Sequence, residues 1–125
     1  MLENIAAVRG AVQIEEDTDL EIRRATVELF DALTEANDLD ADDIISIIIS
    51  CTRDIRAYNP ATALRVERKI DHIPLFCVQE FDWDNAPDRI IRFLLHIRGK
   101  TSSGRPQPVY LGKAGKLRPD LAEQA

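Results

Sequence analysis

The segment "RIIRFLLHIR", residues 89–98, is apolar enough for a buried helix, yet it alternates better than it cycles. Ile91, Phe93, Leu95 and Ile97 fall on one side of an extended chain. Ile90, Arg92, Leu94, His96 and Arg98 fall on the other. Successive side chains of a strand point to opposite faces of its sheet. The stretch therefore predicts a strand with one face built for a core and the other carrying charge. "IAAVRGAVQI", residues 5–14, repeats the pattern. Ala6, Val8, Gly10, Val12 and Ile14 are small or apolar, and the opposite set, Ile5, Ala7, Arg9, Ala11 and Gln13, bears the only charge. A sheet made from such strands has one side for helices and one side that holds arginine.

Only two helices are legible to cover it. Thr18 with Glu21 three residues on forms a capping-box start. Apolar residues then recur at helical spacing (Ile22, Thr26, Leu29, Phe30, Leu33), predicting a helix from Leu20 to about Ala36. Asn59 as N-cap and Pro60 as first helical residue open a shorter helix through about Lys69. Between them "IISIIIS" is β-branched and apolar on both faces, which predicts a buried central strand. "HIPLFCVQ" is a third strand and "DWDNAPD" a turn-rich link. "GKTSSGRPQP" is a flexible or turn-forming loop, "VYLGKAGKL" a short last strand, and "RPDLAEQA" a tail. The order β-α-β-α-β-β-β predicts an α+β (α/β) domain with a mixed five-stranded sheet, one long helix and one short one. Two helices cannot cover both faces of that sheet. The bare, arginine-bearing face predicts an oligomer, because closed symmetric assembly is the usual way to bury such a surface.

The 125 residues fit a single domain, with about 116–125 as a flexible tail. No apolar run is long enough to span a bilayer, and the first residues do not read as a signal peptide, so the expected location is cytoplasmic with no membrane partner. A net charge of −6 argues against nucleic acid. Two cysteines, Cys51 and Cys77, with no CxxC or Cys/His cluster, suggest neither a disulfide framework nor a metal site.

Twelve of the sixteen basic residues are arginine, whose rigid fork suits carboxylates better than the point charge of lysine does. There is no Gly-rich phosphate loop, no GxSxG and no HExxH. His72 and His96 have no nucleophile beside them, and Cys77 has no evident histidine, so it reads as a small buried hydrophobe. Nucleophilic and acid–base catalysis are poorly supported. Two readings of the strand arginines remain. Arg9 and Arg92 make intersubunit ion pairs with residues such as Glu80 or Asp82, or they clamp an anionic, carboxylate-bearing ligand. A site of the second kind catalyses only by positioning and electrostatics.

Five motifs carry a resemblance. "VRGA" in the first strand, "CVQEFD" after the third, Arg92 in the fourth, "VYL" in the fifth and "LRPDL" near the end resemble the monofunctional chorismate mutases of the trimeric α/β-barrel class. The likeness runs from about residue 5 to 121. It implies a pseudo-barrel homotrimer with active sites in the clefts between subunits, no cofactor, and the rearrangement of chorismate to prephenate in phenylalanine and tyrosine biosynthesis. By the same resemblance Arg92 is the cation beside the breaking ether bond, and Arg9 and Tyr110 hold a substrate carboxylate. Cys77 and Glu80 contact the ring hydroxyl, and Phe76 to Glu80 line the pocket partly through backbone. Arg65 and Arg118 stand near the cleft mouth, and a tail from about Lys116 to Leu121 closes over the site. The chain departs from the family pattern at Phe76, where threonine is usual. It departs also at Asn59 and Thr62, which replace an aromatic residue and a lysine, and in "VQIEED" after the first strand. These changes bear on affinity more than on chemistry. Two further readings stay open: a small trimeric imine deaminase, and a non-catalytic trimeric module that binds a carboxylated metabolite.

Overall fold

A computed structural model describes residues 4–99 and 105–116. In chain order the elements are β1 (Ile5–Gln13), α1 (Asp19–Ala36), β2 (Ile44–Cys51), α2 (Pro60–Arg68), β3 (Leu75–Gln79), β4 (Ile90–Arg98) and β5 (Val109–Leu111), with short 3₁₀ turns at Ala41–Asp43 and Gly112–Lys116. The sheet order is β3-β2-β4-β1-β5. β4 is antiparallel to both β1 and β2, while β1/β5 and β2/β3 are parallel. This is the mixed five-stranded sheet that the sequence pattern predicts.

Register puts the apolar parity of β1, β2 and β4 on one face. Val8 lies opposite Leu95, Gly10 opposite Phe93 and Val12 opposite Ile91, and on the other side of β4 Ile47 meets Leu95 and Ile49 meets Phe93. Onto this face α1 presses Ile22, Ala25, Leu29, Phe30 and Leu33, and α2 adds Ala61 and Leu64. Gly10 sets how closely the layers approach. A Cβ there would stand 2.8 Å from Leu33 Cδ1 and 3.0 Å from the Val109 carbonyl oxygen.

Both helices start as their caps demand. Thr18 Oγ1 accepts from the Glu21 N–H at 3.1 Å, and Asn59 Oδ1 accepts from Ala61 N–H at 2.8 Å ahead of Pro60. Buried Asn37 then ties the end of α1 to the segment leading into β5. Its Nδ2 donates to the Leu33 and Gln107 carbonyls (2.9 and 3.0 Å), and its Oδ1 accepts from Gln107 N–H at 2.6 Å.

Two expectations need correction. β2 is not buried on both faces, and the middle strand is β4. Ile47, Ile49 and Cys51 lie in the core, whereas Ile48 is 38% exposed and Ser46 and Ser50 are half-buried on the uncovered face. Composition hid a parity that the two serines mark. The last strand also stops at Leu111, because Gly112 has φ +61° and begins a 3₁₀ turn. The uncovered face bears the arginines as expected, and it is apolar as well. Ile48 and Leu94 are exposed on it, and Phe76 (73%) and Val78 extend it at the β3 edge. Phe81 (80%) and Trp83 stack at 6.3 Å in the link to β4.

Candidate active site

One row crosses the bare face. Ser50 on β2 faces Arg92 on β4, which faces Ala11 on β1, which faces Tyr110 on β5. The next row holds Ile48, Leu94 and Arg9. Ala11 and Tyr110 are buried with Ile90 and Ala114 at one corner of this face, and the rest is open above the sheet. There an open depression of about 620 Å³ is lined by Arg9, Ile48, Ser50, Trp83, Arg92 and Tyr110, among others.

Arg92 is held from one side. Its Nε donates to Glu80 Oε2 at 2.5 Å, and Ser50 Oγ donates to Glu80 Oε1 at 3.4 Å. Both side chains of the ion pair are largely withdrawn from solvent, at 31% and 20% exposure. Glu80 reaches this position because its own N–H continues the β2/β3 ladder to the Cys51 carbonyl at 2.8 Å. The start of β4 is fixed too: Asp54 accepts from Arg89 N–H at 3.1 Å, and Thr52 Oγ1 accepts from Ile90 N–H at 3.0 Å. Among the described residues the two Nη groups of Arg92 make no hydrogen bond, and Arg9 makes no ion pair. The Arg92–Glu80 pair forms within one chain, and Asp82 pairs with Arg53 at 3.4 Å. The parity of strand residues decides this, since Glu80 and Arg92 point to the same face. His96 hydrogen-bonds Ser46 Oγ through Nδ1 at 3.2 Å.

Cys77 is elsewhere. It lies opposite Ile49, on the helix side of the sheet, three residues and hence one face away from Glu80. It lines a second cavity of about 270 Å³ with Cys51, Arg56, Tyr58, Asn59 and Pro60 at the N-terminal end of α2. A hydrogen bond from the Cys51 thiol lowers the Cys77 pKa to about 7, burial opposing and the Ala61 N–H assisting. The same hydrogen bond, with burial, pushes the Cys51 thiol well above its ordinary value. Arg65 is exposed on α2, its Nη2 3.3 Å from Thr62 Oγ1. Phe76 lies opposite Ile48 on the edge strand. Arg118 and the tail beyond Lys116 lie outside the described residues.

Of the eight residues singled out in the sequence, the seven that are described therefore fall into two groups. Arg9, Glu80, Arg92 and Tyr110 converge on the bare face, and Cys77 and Arg65 stand in the helix layer, with Phe76 on the edge strand between. Ser50 and Trp83 belong to the first group and were not foreseen. Ser50 was findable by lining up the parity of β2, whereas Trp83, in a turn-rich link, gives no periodic signal.

A family model described as chorismate mutase type I matches residues 5–121. The chain is 32% identical over 118 residues to chorismate mutase AroH of Bacillus subtilis (strain 168), covering 94% of this chain and 93% of that one. It is 34% identical to chorismate mutase AroH of Thermus thermophilus, covering 94% and 96%. The solved structure of a chorismate mutase from Clostridium thermocellum superposes with a TM-score of 0.83 at 34% identity, covering 89% of this chain and 98% of that one.

Proposed function

Since the chain belongs to the chorismate mutase type I family and is a chorismate mutase, we propose that it performs the rearrangement with two half-sites, one from each of two neighbouring copies. The reaction converts chorismate to prephenate. One C–O bond breaks while a C–C bond forms, and no proton moves. A ~10⁶-fold acceleration asks for about 8 kcal/mol. Geometry supplies part of it, by holding the enolpyruvyl arm over the ring. A cation at the ether oxygen, where negative charge grows, supplies the rest.

Arg92 is that cation. Glu80, braced by Ser50, takes Nε and leaves the Nη edge for the substrate. Such preorganisation matters because no reorientation is then required as charge develops. Arg9 and Tyr110 border the same depression and receive a carboxylate. The half-site carries two arginines and one glutamate, a net charge of +1 toward a substrate with two carboxylates. Further cations are needed, and Arg65, with Arg118, supplies them from a neighbouring copy. Cys77 joins Glu80 at the ring hydroxyl in the same way, since within one chain the two face opposite sides of the sheet. The exposed apolar residues of the bare face and the β3 edge support burial between copies, and the family resemblance supports an assembly of three. The free cysteines suit the cytoplasm, a reducing compartment. Among the described residues no helix is long and apolar enough to cross a membrane.

The observation that carries this reading is the Arg92–Glu80 pair, whose arginine lines the bare-face depression with Arg9 and Tyr110. The test is chorismate consumption, followed by its near-ultraviolet absorbance. Arg92→Ala is expected to lower kcat/KM by at least ~10³-fold, about 4 kcal/mol, with ligand binding partly retained. Turnover at the wild-type rate would remove Arg92 from the mechanism. The imine deaminase and metabolite-sensor readings give way to the family match.

A further inference from the structure

Trp83 is the chain's single tryptophan, and half of its surface is exposed, at 49%. The link that carries it is pinned on both sides. Glu80 N–H donates to the Cys51 carbonyl at 2.8 Å before it, and Arg89 N–H donates to Asp54 at 3.1 Å after it. Between these anchors Ala86 N–H donates to the Trp83 carbonyl at 3.1 Å, closing a tight turn. Asn85 takes the left-handed conformation in that turn, with φ +65°. The Phe81 ring stacks on the indole at 6.3 Å, the planes 17° apart. What this held side chain borders is concave. Trp83 and Pro87 line the bare-face depression with Arg9, Arg92 and Tyr110, and Trp83 also lines a small crevice shared with Glu80 and Arg92.

We propose that Trp83 is a substrate-contacting residue for the mutase reaction, its indole packing against the carbocycle of chorismate and setting how tightly that ring is taken up. The proposal rests on the reading given above, in which Arg92, Arg9 and Tyr110 receive the substrate. Those groups answer carboxylates and the ether oxygen, but they do not cover the apolar face of a ring. Tyr110 is aromatic, yet it is buried with Ala11, Ile90 and Ala114. Among the described residues of the lining, Trp83 is the exposed aromatic surface. Ligand pockets of a few hundred cubic ångströms combine a few orienting polar groups with apolar and aromatic walls that exclude water. The depression of about 620 Å³ has that make-up. Its concavity beside two arginines suits a small ring bearing carboxylates better than the flat face of a second copy.

The role of Trp83 differs in kind from that of Arg92. Charge grows at the ether oxygen during the reaction, whereas the apolar face of the ring is there in the reactant and in the transition state alike. An interaction made equally in both states lowers KM and leaves kcat nearly untouched. An interaction that strengthens with the charge raises kcat.

The first measurement uses the unaltered protein. Prephenate, the product, is titrated in while the emission of the single tryptophan is followed, with native mass spectrometry to show that the assembly is unchanged. A saturable change in emission is expected. No change at prephenate concentrations that inhibit turnover would overturn the proposal, and this comparison needs no variant to fold. Emission that responds only when the assembly dissociates would overturn it too, placing the indole between copies. The second measurement is chorismate turnover by Trp83→Ala and Trp83→Phe. Trp83→Ala is expected to raise KM roughly tenfold and to keep kcat within about threefold of wild type, with Trp83→Phe between the two. A loss in kcat at unchanged KM would make Trp83 a support for Arg92 and would contradict a contact with the ring. Wild-type turnover in Arg92→Ala is a separate failure: it removes the reading of the site, whatever the emission of Trp83 shows.

Discussion

At Arg92 a side chain that an apolar strand should not tolerate becomes intelligible through its neighbours. Its ion pair with Glu80 is one-sided, so the charge is anchored without being fully used. Lysine cannot reproduce this, being a point charge without a second edge. Arg92→Lys is expected to lose ~10²-fold or more in kcat, measured by chorismate absorbance, and Glu80→Ala to lose activity by loosening Arg92. Ser50→Ala should cost far less, since its 3.4 Å contact is long. At this scale the sequence was most informative where a charge broke a pattern: Arg9 and Arg92 stand out against their strands. Ser50 was legible only once parity was applied to a run of isoleucines. The split between Cys77 and Glu80 was open to the same reasoning, because an odd spacing in a strand separates faces. The meeting of Cys51 and Cys77 at one cavity was not legible, since it depends on the register of two strands far apart in sequence.

The elements were more predictable than the contacts between them. Period-2 alternation located β1 and β4, and the Thr18 and Asn59 caps located both helices. The end of β5 was misjudged because glycine at 112 fits a weak strand as well as a left-handed turn. Close packing of α1 on β1 makes Gly10 a sensitive point. Gly10→Ala would press on Leu33, Leu29 and the Val109 carbonyl at 2.8–3.1 Å, and backbone cannot give as a side-chain tip can. We expect a loss of about 1–3 kcal/mol in urea denaturation. Asn37→Ala removes the tie between α1 and Gln107 that leads the chain toward Tyr110. It should lower stability by about 1–3 kcal/mol and raise KM more than it lowers kcat. An unchanged KM would show that Tyr110 is placed by β1 alone.

For the molecule as a whole, the decisive feature is a sheet with one covered face. Arginines together with exposed Ile48, Leu94, Phe76, Phe81 and Trp83 make a surface that is both charged and apolar. Sequence reasoning reached the bare face by counting helices, and parity separates Cys77 from Glu80, but neither shows that Cys77 and Arg65 would share the helix layer. That division is a three-dimensional consequence of β2–α2–β3 folding α2 onto the core side. The most direct measurement is complementation: mix two inactive variants, Arg92→Ala and a second altered in the other half-site, Cys77→Arg, after mild dissociation and reassembly. If each site draws one half from each of two copies, an equal mixture restores about a quarter of the sites, and activity rises to about that fraction of wild type. Activity no greater than that of either variant alone, in a mixture shown by native mass spectrometry to contain mixed oligomers, would contradict the two-half-site account.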